Sequence, residues 1–538
     1  MSNFTVISND VKTKGKLRKD ITLVFNSSRD PTLTSSLLEI TNDEEFYNEN
    51  IDITRTADTI YSFFHLIKSA AENGNESLTP LASFLAKTYK DKLTQFKKMS
   101  DTGKISFDHL PKLFKKGSRF IGKIHGELIG STVSTAQLVP DAYETGHGYF
   151  TLTGPFILSA GDHLVQFVHS FLVYEFKGMM DIKDLPIRLM EDTDHAFLTS
   201  RGKIFEKYAL GMHHLANQGE MFRVNPYGGV NYFNATGRIM VDSAASKRMN
   251  PNYAAHHHHT TRFPHKTIPT ELLYKTWPFV PGFSFRAKEW GEIYLDRISE
   301  IKFDSNAFDL LVLEPRIKRA IHALVTSSKA SFKDIISGKS GGSIFLLYGP
   351  PGTGKTLTSE AISEYLQRPL YSVTVGELGV TPKILEKTLS NILEIAQSWD
   401  AVILIDEVDI FLEARTTHDI VRNAMVGIFL RLLERHHGVM FLTTNHADRL
   451  DEAFKSRISL MVKYNKLDEA ALHAVWTNML SAARITLPKD VISLLAKKPL
   501  SGRDIIHVIR GSQSLASSAK EPVAFSHFEE FLALKDIA

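Results

Sequence analysis

The chain has 538 residues, of which 43% are hydrophobic and 23% charged, a composition that excludes disordered and fibrous classes of protein. Its 63 basic and 60 acidic residues give a net charge of +3, which by itself excludes no class of partner. The absence of cysteine excludes disulfides, thiolate zinc sites and cysteine nucleophiles.

The hydropathy of the chain bears on the cellular location of the protein. The first twenty residues lack the apolar run of a signal peptide. No window offers the ~20 uninterrupted apolar residues of a membrane span. We therefore expect a soluble, intracellular and cytoplasmic protein.

Residues 1–135 read as a mixed, partly helical region. Within it, residues 86–123 carry eleven Lys and Arg against three Asp. Such a segment could be an electrostatic footprint for nucleic acid. Aromatic stacking partners are sparse there, so we favour a solvated surface over a nucleic-acid site.

Residues 136–300 read as a β-rich domain. Short apolar runs rich in Val, Ile, Phe and Tyr alternate with turn residues, as in 148–155, 170–176 and 237–241. The run His256–His259 lies between two Asn/Phe-Pro turns and could bind a metal ion opportunistically. We expect an exposed loop there.

From residue 301 the pattern changes to strands alternating with helices. Strands are predicted near 343–348, 370–375, 401–405 and 439–443, with helices between them. This alternation indicates an α/β fold with a parallel sheet flanked by helices over 301–465. Residues 466–538 read as a small α-helical domain.

A glycine-rich stretch directly follows the first of these strands and precedes a predicted helix. It fits the phosphate-binding pattern G-x-x-x-x-G-K-[ST] and comprises Gly349, Pro350, Pro351, Gly352, Thr353, Gly354, Lys355 and Thr356. Glycines let backbone N–H groups wrap phosphate oxygens, and the helix N-terminus adds partial positive charge. We expect Lys355 to reach the β- and γ-phosphates of ATP and the Thr356 hydroxyl to bind Mg²⁺.

Polar residues end two further strands. Asp406 and Glu407 follow an apolar strand 51 residues after Lys355, at the edge where open α/β sheets bind ligands. We expect Asp406 to hold Mg²⁺ and Glu407 to act as general base on the attacking water. Asn445, at the end of the next strand, could orient that water.

Two arginines follow these strands. Arg457 comes twelve residues after Asn445, and Arg503 lies where Ser501-Gly502-Arg503-Asp504 opens a helix. A planar, permanently charged guanidinium suits the charge that develops on a transferring phosphoryl group. We expect both arginines to act in hydrolysis.

These segments together resemble the AAA subgroup of AAA+ ATPases. GPPGTGKT, VILIDEVD, FLTTNHADRLDEAFKSRI and SGRDI occur in order, and the resemblance covers about Phe308 to Arg510. It implies a P-loop AAA+ module with a helical C-terminal lid, and a homo-oligomeric ring, usually a hexamer. It also implies that Arg457 is an arginine finger for the neighbouring subunit, Asn445 is sensor 1, and Arg503 lies at sensor 2.

A narrower similarity is to a group common in fungi that joins one AAA module to an N-terminal domain of unknown function. It extends the resemblance to about 170–510 and is carried by 368–379, 406–415, 422–434 and the upstream pieces 176–178, 201–202, 237–242 and 281–283. One departure from the family pattern concerns the pore loop. Residues 375–380, at the position of the aromatic pore loop of protein-unfolding rings, read VGELGV and contain no aromatic.

The sequence thus predicts a ring-forming, chaperone-like Mg²⁺-ATPase that remodels or translocates a macromolecular partner, most simply a protein. Two alternatives stay open. One is a nucleic-acid-processing motor or loader, supported only by residues 86–123, and the other is a slow nucleotide-dependent scaffold or switch. The client is not identified by any residue.

Overall fold

The computed structural model describes residues 4–13, 16–41, 43–47, 51–91, 94, 99, 101–139, 148–225, 227–251, 260–327, 342–412, 420–446 and 452–536. The predicted His256–His259 loop lies outside the described residues. Several positions of the basic segment 86–123 do so as well.

Residues 4–91 form a small unit of helices around a three-stranded antiparallel sheet. The strands are β1 (Thr5–Thr13), β2 (Lys16–Asn26) and β3 (Asp52–Thr56), and the helices are α1 (Pro31–Thr41), α2 (Ala57–Ser62), α3 (Phe64–Glu72) and α4 (Thr79–Thr88). Leu23 and Phe25, two residues apart on β2, are fully buried and belong to one hydrophobic cluster with the helices. The period of two places both on the face that the helices cover.

Residues 104–299 are rich in β-structure. The β-strands predicted within 136–300 are present, but further strands begin earlier, at residue 104. Their strands are β4 (Lys104–Ser106), β5 (Arg119–Ile124), β6 (Glu127–Thr132), β7 (Thr135–Val139), β8 (Tyr149–Ser159), β9 (Leu164–Tyr174), β10 (Met179–Asp181), β11 (Arg188–Leu189), β12 (His213–Asn217), β13 (Glu220–Val224), β14 (Val230–Asn234), β15 (Gly237–Val241), β16 (Thr260–Arg262), β17 (Phe279–Ser284), β18 (Glu289–Tyr294) and β19 (Ile298–Ser299). The helices among them are α5 (Leu110–Leu113), α6 (Asp192–Tyr208) and α7 (Ser243–Met249).

Two sheets dominate this region, and every pairing within them is antiparallel. One has seven strands in the order β14-β13-β18-β17-β15-β12-β19, and the other has four in the order β16-β9-β8-β7. A buried cluster runs from Ile105 to Leu295 and packs the sheets together. It includes Phe120 and Ile129 of the β5–β6 hairpin, so it crosses the boundary predicted at residue 135. The division of the chain into domains stays a prediction.

The C-terminal half contains a parallel sheet flanked by helices, which confirms the predicted α/β fold. Its strands run in the order β21-β22-β23-β20-β24. They are β20 (Ser343–Tyr348), β21 (Leu370–Thr374), β22 (Val402–Asp406), β23 (Val439–Thr444) and β24 (Leu460–Lys463). The helices are α8 (Pro315–Ser327), α9 (Lys355–Leu366), α10 (Val375–Leu378), α11 (Pro382–Ser398), α12 (Asp409–Leu412), α13 (Ile420–Glu434) and α14 (Glu452–Lys455).

Both faces of this sheet are covered. On β22, Ile403 and Ile405 belong to one hydrophobic cluster, while Val402 and Leu404 belong to another. Strands buried on both faces have continuous apolar runs rather than alternating ones, which is why they stand out in the sequence.

Four helices follow the sheet and pack around the fully buried Trp476. They are α15 (Glu469–Ala482), α16 (Lys489–Ala496), α17 (Gly502–Ala519) and α18 (Phe525–Asp536), and they confirm the predicted helical C-terminus. None of the helices that the structure describes is both long and apolar enough to cross a membrane.

The β-rich region and the α/β region share buried surface. Phe283 of β17 stacks on Tyr371 of β21 at 5.4 Å between ring centroids, and it lies 5.6 Å from Trp399. Phe283 belongs to the same hydrophobic cluster as the core of the parallel sheet. Ion pairs also join the two regions: Arg238 with Glu364, Arg248 with Glu394, and Lys288 with Glu377.

Candidate nucleotide-binding site

The glycine-rich loop 349–354 joins β20 to α9, as the sequence predicts. Gly349, Gly352 and Gly354 have φ angles of 141°, 73° and 100°, in a region of backbone conformation that residues other than glycine rarely adopt. A Cβ on Gly349 would also lie 2.1 Å from the backbone oxygen of Tyr464. The loop therefore needs glycine both for its backbone conformation and for its close approach to the residue that follows β24.

Lys355, the first residue of α9, is 9% exposed and points back into this loop. Its Nζ donates to Gly349 O at 2.7 Å, to Pro350 O at 2.8 Å and to Asn445 Oδ1 at 3.0 Å. Burial lowers the pKa of Lys355, and the carboxylates of Asp406 and Asp409 oppose that effect. The structure thus brings the predicted P-loop cation and the predicted sensor amide into direct contact.

Thr356 and Asp406 face each other across the end of the sheet. Thr356 Oγ1 lies 3.4 Å from Asp406 Oδ2, while Thr443 Oγ1 donates to Asp406 Oδ1. A hydroxyl and a carboxylate oxygen side by side are the hard ligands that Mg²⁺ prefers. The two residues predicted to bind the metal therefore fit it.

Glu407 has an unusual backbone. Its φ of 57° lies in the left-handed region, and its N–H donates to Thr443 Oγ1 at 3.1 Å. A non-glycine residue in that region costs about 1–3 kcal/mol and is found where function demands it. The conformation turns the exposed Glu407 side chain into the cavity above the glycine-rich loop.

Asp409 was not identified from the sequence. Its Oδ1 accepts from Thr444 Oγ1 and, at 3.2 Å, from the backbone N–H of Asn445. It therefore fixes the end of β23 from which Asn445 reaches Lys355. The signal was present, because Asp409 is the third acid in the segment Asp406-Glu407-Val408-Asp409.

A cavity of about 980 Å³ joins these groups. The lining residues include all those from Pro351 to Thr356, both acids Asp406 and Glu407, and Asn445. Leu310 to Leu313 and Met479 add apolar wall at one end. Arg238 and Arg286 of the β-rich region also line it, and no sequence pattern indicated either of them.

The two predicted arginines differ in position. Arg503 lines the cavity from the first turn of α17, where Gly502 N donates to Gly352 O at 2.9 Å and ties this helix to the glycine-rich loop. Arg457 is not among the described lining residues. Its Nη2 pairs with Glu434 Oε1 and its Nη1 donates to Ala453 O at 2.5 Å. Within one chain, the structure brings together every predicted site residue except Arg457.

Comparison with protein families gives two matches along the chain. The family described as "ATPase family associated with various cellular activities (AAA)" matches residues 345–465. The family "Domain of unknown function (DUF7025)" matches residues 95–193. The first match contains the glycine-rich loop, both acids, Asn445 and Arg457.

Sixty curated relatives match parts of the chain, among them the following three. The "Probable mitochondrial chaperone bcs1" of Schizosaccharomyces pombe is 34% identical over 121 residues, 20% of this chain and 25% of the relative. The "26S proteasome regulatory subunit 6B homolog" of Aspergillus niger is 28% identical over 185 residues, 31% of this chain and 42% of the relative. The human "ATPase family AAA domain-containing protein 3B" is 29% identical over 126 residues, 22% of this chain and 19% of the relative.

The matched segments thus cover less than half of each relative. These relatives are named as a chaperone, a proteasome regulatory subunit homolog and an AAA domain-containing ATPase family member. The chain therefore carries an AAA domain of the AAA ATPase family in its C-terminal half and a DUF7025 domain in its N-terminal half.

Proposed function

We propose that this protein hydrolyses ATP with Mg²⁺ in the cavity above the glycine-rich loop. The observation that carries the proposal is the position of Lys355 Nζ, which contacts both the loop carbonyls and Asn445. A lysine held on carbonyl oxygens can exchange them for phosphate oxygens. Phosphates that took the place of these carbonyl oxygens would lie beside Asn445 and Glu407, which line the same cavity.

The chain's own groups divide the chemistry among them. Backbone N–H groups of the loop and Lys355 bind the β- and γ-phosphates, while Thr356 and Asp406 hold Mg²⁺, which when bound neutralises phosphate charge. Asn445 orients the attacking water. Glu407 accepts the proton that the water loses as its oxygen bonds to the γ-phosphorus and the bond to ADP breaks. Arg503, on the helical lid, faces the negative charge that develops on the transferring phosphoryl group.

Replacing the proposed base tests this assignment. Glu407→Gln keeps the shape of the side chain but cannot accept a proton, so ATP should bind with unchanged affinity while phosphate release falls by about 10²–10⁴-fold. Glu530→Gln, an exposed change on α18 outside the cavity, is the matched control for nucleotide binding. Full turnover by Glu407→Gln would contradict the role given to Glu407.

We further propose that the active form is a homo-oligomeric ring, most simply a hexamer, with Arg457 supplied to the neighbouring subunit's nucleotide. The family resemblance supports this, and so does the position of Arg457 outside its own chain's cavity. Its side chain is 26% exposed and is paired with Glu434, a partner it must leave to reach another subunit.

We also propose that hydrolysis remodels a protein partner. Two of the matched relatives are named as a chaperone and as a proteasome regulatory subunit. Helix α10, which occupies the pore-loop position, is tied to the β-rich region because Lys288 Nζ donates to both oxygens of Glu377 at 2.5 Å. Threading on a mobile aromatic loop is therefore not part of this proposal.

The nucleic-acid alternative makes a distinct prediction for the basic segment. Neutralising 6–10 phosphates would reduce affinity by about 10³-fold or more between 50 and 200 mM salt. Lys115 and Lys116 are exposed and suited to charge reversal. Filter binding should be measured across these salt concentrations. A steep fall in affinity with salt that disappears when the charges of both lysines are reversed would favour a nucleic-acid motor. Slow hydrolysis together with nucleotide-dependent assembly would instead favour a switch.

A further inference from the structure

A second cavity, of about 250 Å³, lies inside the β-rich region, away from the nucleotide site. Strands β8 and β9 of the four-stranded sheet contribute Leu158 and Val165, and the seven-stranded sheet contributes Phe222, Phe279 and Glu292. At about 30 Å³ per water molecule it has the volume of roughly eight waters, enough for a molecule somewhat larger than benzene, which fits a cavity of about 150 Å³.

Glu292 is the unusual member of this wall. It lies in the middle of β18, opposite Pro281 on one side and Phe222 on the other, and is 7% exposed. Among the described residues, no side chain or backbone group forms a hydrogen bond or ion pair with its carboxyl. A buried carboxylate without a partner is costly, so burial raises the pKa of Glu292 to about 8.

Another buried charge of this region, Arg201, has partners. Arg201, 2% exposed, lies within 3.4 Å of Glu127 and 3.6 Å of Asp296. It therefore has the partners expected of a structural charge. Glu292 instead lines the cavity without a partner among the described residues, which points to a ligand as its partner.

The walls beside Glu292 suit a cation. Phe222 and Phe279 meet edge to face at 4.8 Å, and Trp277 lies 6.3 Å from Phe279. His125 packs on Phe222 at 4.7 Å, and burial lowers its pKa, which favours the neutral imidazole. Aromatic faces attract cations, and a carboxylate supplies the counter-charge.

Two polar residues of α7, Ser243 and Lys247, also line the cavity. Ser243 is 4% exposed, and its Oγ has no hydrogen-bond partner among the described residues. Lys247 is exposed and lies one turn further along the helix. No ion pair joins Lys247 to Glu292 among the described residues, so the lysine leaves the carboxyl available.

We propose that this cavity binds a small organic cation, an amine carrying an aryl or alkyl group, with its ammonium on Glu292 and its apolar part against Phe222, Trp277 and Phe279. Ser243 Oγ accepts a second hydrogen bond from the ammonium. The site is separate from the nucleotide site, since none of the described residues that line it also lines the larger cavity.

Three probes of nearly equal size separate charge from shape: 2-phenylethylamine, 2-phenylethanol and phenylacetate. Each is titrated into the full-length protein by calorimetry and by tryptophan fluorescence, since Trp277 lines the cavity. The amine should bind saturably and at least about tenfold more tightly than the alcohol, with phenylacetate weakest. Equal binding of amine and alcohol, tighter binding of phenylacetate, or no saturable binding of the amine up to about 10 mM overturns the proposal.

The carboxyl is then tested directly. Glu292→Gln should reduce affinity for the amine to that for the alcohol, because the amide keeps the shape but not the charge. Glu289→Gln, an exposed change on the same strand, should leave binding unchanged. Unchanged amine binding by Glu292→Gln also overturns the proposal. The comparison of probes on the unaltered protein does not depend on either variant.

Discussion

The indole Nε1 of Trp399 donates a hydrogen bond of 2.8 Å to Asp242 Oδ2, joining the AAA domain to the β-rich region across 157 residues of chain. The second oxygen of the same carboxylate accepts from Ala245 N at 2.8 Å and begins helix α7. Asp242 is 4% exposed. One buried carboxylate therefore caps a helix and holds a tryptophan that lies just before strand β22.

Removing the indole donor should weaken this junction. Trp399→Phe keeps an aromatic ring but leaves Asp242 Oδ2 buried without a partner, at a cost of about 1–3 kcal/mol. The midpoint of thermal unfolding should fall, and proteolysis between the two regions should become faster. Trp290→Phe is the control, since Trp290 packs 5.7 Å from Trp399 and replacing it leaves Asp242 paired. Equal losses in both variants would show that ring packing, not the hydrogen bond, matters.

Removing the P-loop cation should abolish nucleotide binding. Lys355→Ala deletes the ammonium that faces the β- and γ-phosphates and also frees Asn445 Oδ1 from its contact. Calorimetry with ATP should show no binding, whereas Lys387→Ala, an exposed lysine on α11, should bind normally. Tight, unchanged binding by Lys355→Ala would refute the assignment of the glycine-rich loop.

The arginine finger should act in trans. Arg457→Ala should bind ATP normally but hydrolyse it about 10³-fold or more slowly, the range measured for fingers in GTPases. Mixing it with Lys355→Ala should restore some phosphate release, because some interfaces then pair an intact loop with an intact finger.

Glu434→Gln provides the control for that experiment. It breaks the ion pair that holds Arg457 within its own chain but keeps the guanidinium. Its activity should equal or exceed that of the unaltered protein. Full activity of Arg457→Ala alone, or a specific activity independent of concentration in a monomeric sample, rules out the trans-acting finger.

Stability should depend on pH through Glu292. Its pKa is raised to about 8 in the folded protein from a usual value of 4.5, because burial penalises the carboxylate. Between these values the unfolded chain loses the proton while the folded chain keeps it, so stability falls as pH rises through that window and then levels off.

Glu292→Gln removes this loss. The variant should unfold at a higher temperature than the unaltered protein at pH values above about 8, and the difference should shrink as pH falls towards 4.5. Thermal unfolding across this range measures it, with Glu289→Gln as the reference. A difference that is constant with pH would show that Glu292 already ionises in the folded state.

The nucleotide site was largely predictable because its signals are local. A glycine-rich loop between an apolar strand and a helix must bring Lys355 to the loop, and the acids of β22 must lie at the same edge of the sheet. The structure places Lys355, Asp406, Glu407 and Asn445 around one cavity. Arg457 could be assigned only through family resemblance, because its partner in the proposal belongs to another subunit.

The β-rich region was less predictable because its order depends on distant pairings. The strand order β18-β17-β15 brings Glu292 beside Pro281. The two-residue periodicity of a strand shows which of its residues share a face, but it does not show which strand is its neighbour. One local signal was missed. His125 and Gly126 have φ angles of 47° and 86°, the backbone of a tight hairpin turn between β5 and β6.

The shared core has a practical consequence for expressing parts of this gene. Cutting the chain near residue 300 would remove Phe283 from its contacts with Tyr371 and Trp399. In the full chain Tyr371 is 7% exposed and Trp399 is 5% exposed. A recombinant ATPase fragment would present those rings to solvent and self-associate through them. Its hydrolysis rate would then describe an aggregate, so enzymology and client capture both require the two halves to be produced as one polypeptide.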